Sequence, residues 1–115
     1  MKLPTEATLL RVFVGESDKL GGRPLYEVIV ERARRAGLAG ATAMRGFLGY
    51  GANSRIHTAK ILRLSEDLPI IVEIVDERAK IDEFLPVLDE IVQEGLATLE
   101  RAEVILYRHD RRAGV

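Results

Sequence analysis

Apolar and polar positions along the chain alternate between two periods, and each period marks an element. Thr8 to Val14 is apolar on both alternating sets and predicts a strand. Gly15 to Arg23 is a polar connection containing Gly21-Gly22. Pro24 suits the first turn of a helix, and Leu25, Val28, Ile29, Ala33 and Ala36 then recur at helical spacing. Gly37 is placed to cap that helix. Ala41 to Leu48 predicts a second strand, and Ala59 to Leu64 has strand character that would extend its hairpin. Pro69 opens the most β-branched run, Ile70 to Val75. Asp76 is a candidate cap for a second helix with the stripe Ile81, Phe84, Leu85, Leu88, Ile91 and Val92. Pro86 lies inside that stripe and predicts a kink there or a start near Asp82; Gly95 is expected to stop the helix. Glu103 to Arg108 predicts the last strand.

The order β-α-β-β-α-β predicts an α+β fold of the ferredoxin-like kind: a four-stranded antiparallel sheet with two helices on one face. The strands do not alternate cleanly. If Leu10, Val12 and Val14 face the helices, then Leu9, Arg11 and Phe13 face away, and Ile71, Glu73 and Val75 do the same. An open face that keeps such apolar groups predicts a homo-oligomer packed sheet to sheet.

Between the second and third strands lies Leu48-Gly49-Tyr50-Gly51-Ala52-Asn53-Ser54-Arg55-Ile56-His57, too long for a tight hairpin. Its glycines allow close backbone approach to a planar or anionic ligand. Tyr50 is a candidate for stacking on a ring or sealing an interface, and His57 for donating to a phosphate. Arg45 is expected to pair with Glu73 or to reach a ligand.

Composition narrows the chemistry. With 115 residues and no internal repeat, a single domain over 1–115 is expected, with a flexible tail at about 109–115. There is no cysteine, which removes disulfides and thiolate metal sites. The net charge of -1 gives no drive toward nucleic acid or membrane surfaces. No apolar run approaches the roughly 20 residues of a membrane span, and Met1 to Glu6 lacks a signal-peptide core, so a cytoplasmic protein is expected. No nucleophile–base pair, phosphate-binding loop or dinucleotide fingerprint is present, and no enzyme is expected.

Taken in order, Pro24-Leu25-Tyr26-Glu27, Gly40-Ala41-Thr42, Arg45-Gly46, Gly49-Tyr50-Gly51, Ile56-His57, Leu68-Pro69-Ile70 and the run to Val75 resemble the PII nitrogen-regulatory signal proteins. They resemble still more the PII-like relatives known as a domain of unknown function. The resemblance spans Leu9 to Tyr107. It implies a homotrimer that binds an adenine nucleotide between subunits and controls a partner, such as a membrane transporter, through the loop 49–60. It implies that Gly49 and Gly51 approach the nucleotide through backbone and that Thr42 and Glu73 face the pocket. PII proteins carry a glycine- and lysine-rich phosphate cradle before the last strand. Here Gln93 to Glu103 holds one glycine, one arginine and three glutamates. Arg101 is the candidate phosphate ligand there, and AMP or ADP is favoured over ATP, with no metal required. Two alternatives stand beside this reading. One is a divalent-metal trimer of the cation-tolerance type, with His57 and Glu73 or Glu103 as ligands; the other is a sensor of a non-nucleotide molecule.

Overall fold

A computed structural model of the protein describes residues 5–51 and 67–108. Its strands are β1 (Glu6–Gly15), β2 (Lys19–Leu20), β3 (Arg23–Pro24), β4 (Ala41–Arg45), β5 (Pro69–Asp76) and β6 (Leu96–Glu103). Its helices are α1 (Leu25–Arg35) and α2 (Arg78–Ile91). The main sheet has the order β4-β5-β1-β6, antiparallel at every pairing. Each helical crossover therefore skips one strand, the ferredoxin-like arrangement expected from the element order.

The core lies between the sheet and the helices. Leu10, Val12 and Val14 of β1 and Ile70, Val72 and Ile74 of β5 are buried against Leu25, Val28, Ile29 and Ala33 of α1. Ile81, Phe84, Leu88 and Ile91 of α2 complete it, at the spacing that places one stripe of a helix inward. Arg23 lies outside α1, with its Nη2 2.9 Å from Glu31 Oε2, and holds the Glu31 carboxyl below its ordinary range.

Several local features differ from the sequence reading. Gly21 and Gly22 both have positive φ, 59° and 82°, and turn β2 into β3 as a two-residue hairpin inside the expected polar connection. Gly37 does end α1: its N–H donates to Arg34 O and that of Leu38 to Ala33 O, with φ of 78° at the glycine. Strand β4 stops at Arg45 rather than Leu48: the Gly46 N–H still donates to Pro69 O at 2.8 Å, but proline has no N–H with which to carry the ladder further. Helix α2 runs through Pro86, which sits on the exposed side and leaves a carbonyl one turn earlier to solvent. The N-cap of α2 is Glu77. Asp76 is buried instead, and its two carboxylate oxygens accept the N–H groups of Ala39 (2.8 Å) and Glu77 (2.7 Å).

The largest correction concerns the last strand. It spans Leu96–Glu103, not 103–108, and pairs along β1 from Phe13↔Leu96 to Glu6↔Glu103. Its composition is mixed, whereas Val104-Ile105-Leu106-Tyr107 carries the strong strand propensity. Pairing with β1 overrides that propensity. Past the strand, Val104 N–H donates to Thr5 O, Ile105 and Leu106 are exposed, and Tyr107 OH donates to Ala39 O. Gly95 does not stop α2, which ends at Ile91, but introduces β6.

Candidate functional site: a cleft at one end of the sheet

The antiparallel order gathers four chain segments at one end of the sheet: the end of β1, the start of β6, the start of β5 and the segment after β4. Between them lies a cleft of about 480 Å³. Phe13, Leu96, Pro69 and Tyr50 supply apolar and aromatic surface, and Asp18, Asp67 and Glu94 supply carboxylates.

Each part is fixed by a local bond. Asp18 Oδ2 accepts the Gly15 N–H at 2.9 Å, and Asp67 Oδ1 accepts the Ser17 N–H at 3.0 Å. Glu16 N–H donates to Leu68 O at 2.8 Å, which ties the end of β1 to the entry of β5. The segment after β4 lies over Pro69, where a Cβ on Gly46 or Gly49 would come 2.9 or 3.1 Å from the ring. At Gly95 a Cβ would stand 2.6 Å from Phe13 O, so only glycine lets the two strands meet there. Tyr50 is 72% exposed and its ring is free to cover a ligand.

The sheet face turned away from the helices runs into this cleft. The register places Met44, Ile71, Phe13 and Leu96 in one row across the four strands, and Phe13 and Leu96 also line the cleft. The next row of that face is polar: Thr42, Glu73, Arg11 and Thr98. Arg11 Nε donates to Glu73 Oε2 at 2.7 Å, and its Nη1 bonds Glu100. The bond to Glu73, then the charge of Glu100, raise the Arg11 guanidinium above its ordinary value, so it stays charged at any accessible pH.

The structure brings some expected residues together and separates others. Gly49, Tyr50 and Gly51 all line the cleft. Glu73 and Thr42 face each other on the open sheet face, four and more residues from Pro69, a distance of roughly 14 Å at 3.4 Å per residue. Arg45 bonds Glu16 rather than Glu73, which is taken by Arg11. Arg101 lies on β6 rather than in a loop, with its Nη2 2.8 Å from Glu6 Oε1. It pairs in register with Thr8, seven residues along β1 from Gly15 and roughly 24 Å from the glycine cleft of its own chain. There it borders a second, smaller hollow with Thr5, Glu6 and Glu103. Glu103 sits opposite Glu6, five positions along β1 from Arg11 and its partner Glu73, too far for both carboxylates to share one cation within a chain. His57, the rest of the loop beyond Gly51, and the tail 109–115 lie outside the described residues.

Sequence reasoning missed Phe13, Asp18, Asp67, Glu94 and Leu96 as cleft residues. Their signal was topological: an antiparallel order puts those four chain segments at one end, whatever their composition.

Comparison with known proteins places the chain. A family model, DUF190, "Uncharacterized ACR", matches residues 7–104. The protein belongs to this family. Two relatives carry the same uncharacterised-family designation, UPF0166. One from Aquifex aeolicus is 44% identical over 99 residues, covering 84% of this chain and 91% of the relative. One from Methanocaldococcus jannaschii is 36% identical over 90 residues, covering 78% and 82%. The fold is PII-like. A crystal structure described as a PII-like signalling protein from Thermus thermophilus superposes with a TM-score of 0.61 at 17% identity, covering 88% of this chain and 91% of that one. A nitrogen regulatory PII-like protein from Thiomonas intermedia, bound to ADP, AMP and bicarbonate, gives 0.55 at 16% identity, covering 86% and 88%. Among the described residues no helix is long and apolar enough to cross a membrane.

Proposed function

We propose that this DUF190 protein is a cytoplasmic, non-catalytic PII-like regulator that binds an adenine nucleotide, AMP in preference to ATP, between subunits of a homotrimer. The observation that carries this reading is the sharing of Phe13 and Leu96 between the cleft and the open sheet face. That face holds half-buried Leu9, Phe13, Ile71 and Val75 in one chain, a surface suited to a second copy. A subunit seated there would form the remaining wall of the cleft, so ligand and assembly would act on the same side chains. Likeness in fold to a protein bound to ADP and AMP supports the choice of ligand class.

Tyr50 is assigned to stack on the base, with Gly49 and Gly51 giving it a hinge on either side. Ligand binding would then bias the arrangement of the loop 49–60 and thereby its affinity for a partner protein, with a membrane transporter as the candidate class. Arg101, remote from the cleft of its own chain, is assigned to phosphate only from a neighbouring subunit.

Calorimetric titration with AMP tests the reading. The expected result is one AMP per subunit at micromolar affinity, weakened about tenfold or more by Tyr50→Ala, in line with the usual worth of base stacking. Sedimentation should show the variant still assembled. Absence of binding by AMP, ADP and ATP alike would overturn the proposal.

A further inference from the structure

The cleft combines an aromatic and apolar lining with three carboxylates, and among the described residues no lysine or arginine lines it. Such a lining suits one part of a nucleotide and opposes another. Asp18 and Asp67 each spend one oxygen on a backbone N–H, which fixes their orientation and leaves acceptor capacity toward the cleft. Glu94, in the short connection between α2 and β6, stands exposed at the cleft wall. Carboxylates accept from hydroxyl and amino donors and repel phosphate oxygens.

Resting on the nucleotide reading above, we propose that this cleft holds the nucleoside end of the ligand and turns the phosphate outward. The base lies against Tyr50 and Phe13, the ribose hydroxyls or the exocyclic amine donate to Asp18 and Asp67, and Glu94, exposed at the wall, contributes only its charge. Phosphates extend away from the carboxylates, and each phosphate beyond the first costs affinity through like-charge repulsion. The cleft thus selects against polyphosphates by charge.

The polarity can be read directly. Adenosine, AMP, ADP and ATP are titrated into the purified protein, with divalent cations chelated, at low and high potassium chloride. Adenosine and AMP are expected to bind tightest and ATP weakest. Added salt should strengthen ATP binding by screening repulsion and leave adenosine unchanged. Glu94→Lys, at an exposed position, should raise ATP affinity on the order of tenfold and barely move adenosine. ATP binding as tight as adenosine, or weakened by salt, would overturn the outward phosphate while leaving nucleotide binding intact. A Glu94→Lys protein with unchanged ATP affinity would overturn it too. If none of the four ligands binds, the parent reading falls, and this inference falls with it.

Discussion

The two faces of the sheet are built by the same strands and solve different problems. On the helix side, Leu10, Val12, Val14, Ile70, Val72 and Ile74 are all apolar and almost fully buried. On the other side, the row Met44–Ile71–Phe13–Leu96 is apolar, yet the row beside it carries Thr42, Glu73, Arg11 and Thr98. The inner face closes on residues of its own chain, and its one buried carboxyl group among the described residues, Asp76 at the end of β5, is taken up by backbone N–H groups. The outer face needs order in a surface that water still reaches, and Arg11 supplies it by spanning β5 and β6 from the central strand. Burial specifies the first face, whereas directional bonds fix positions on the second.

Breaking the inner face should have the largest effect. Leu10→Ala, at a fully buried position, should cost about 2–5 kcal/mol of stability, read as a lower denaturation midpoint. Ile71→Glu places a charge on the outer face. It should leave the subunit folded by circular dichroism while shifting sedimentation from the proposed trimer to monomer; a fully assembled variant would show that this face is not the contact. Arg11→Met should do least. It leaves Glu73 and Glu100 as uncompensated like charges on either side of β1, so assembly should weaken at low salt and recover as salt rises.

How much of this was legible in the sequence follows the same division. The inner stripes of β1, β5, α1 and α2 could be read from periodicity because burial leaves one solution for each. The last strand was misplaced because propensity favours Val104 to Tyr107, while pairing with β1 selects Leu96–Glu103. The glycine-rich loop pattern, together with the resemblance to PII-like proteins, pointed to Gly49, Tyr50 and Gly51, which line one cleft. It could not supply Asp18, Asp67 and Glu94, which are far apart in sequence and meet only through strand order. Arg45 found Glu16 instead of Glu73 for a related reason: a short list of charges has many pairings, and only the register chooses among them.

The cleft's glycines, finally, differ in what would forbid their replacement. At Gly95 the forbidding neighbour is the β1 backbone at Phe13, and at Gly49 it is the ring of Pro69. Gly51 has nothing within 4 Å of an added side chain among the described residues, and its φ is not positive. A family that kept glycine at 95 would be recording only that its sheet closes. One that kept it at 51 would be recording a contact made by something other than the described residues of this chain, so that position is the better informant for tracing a ligand through evolution.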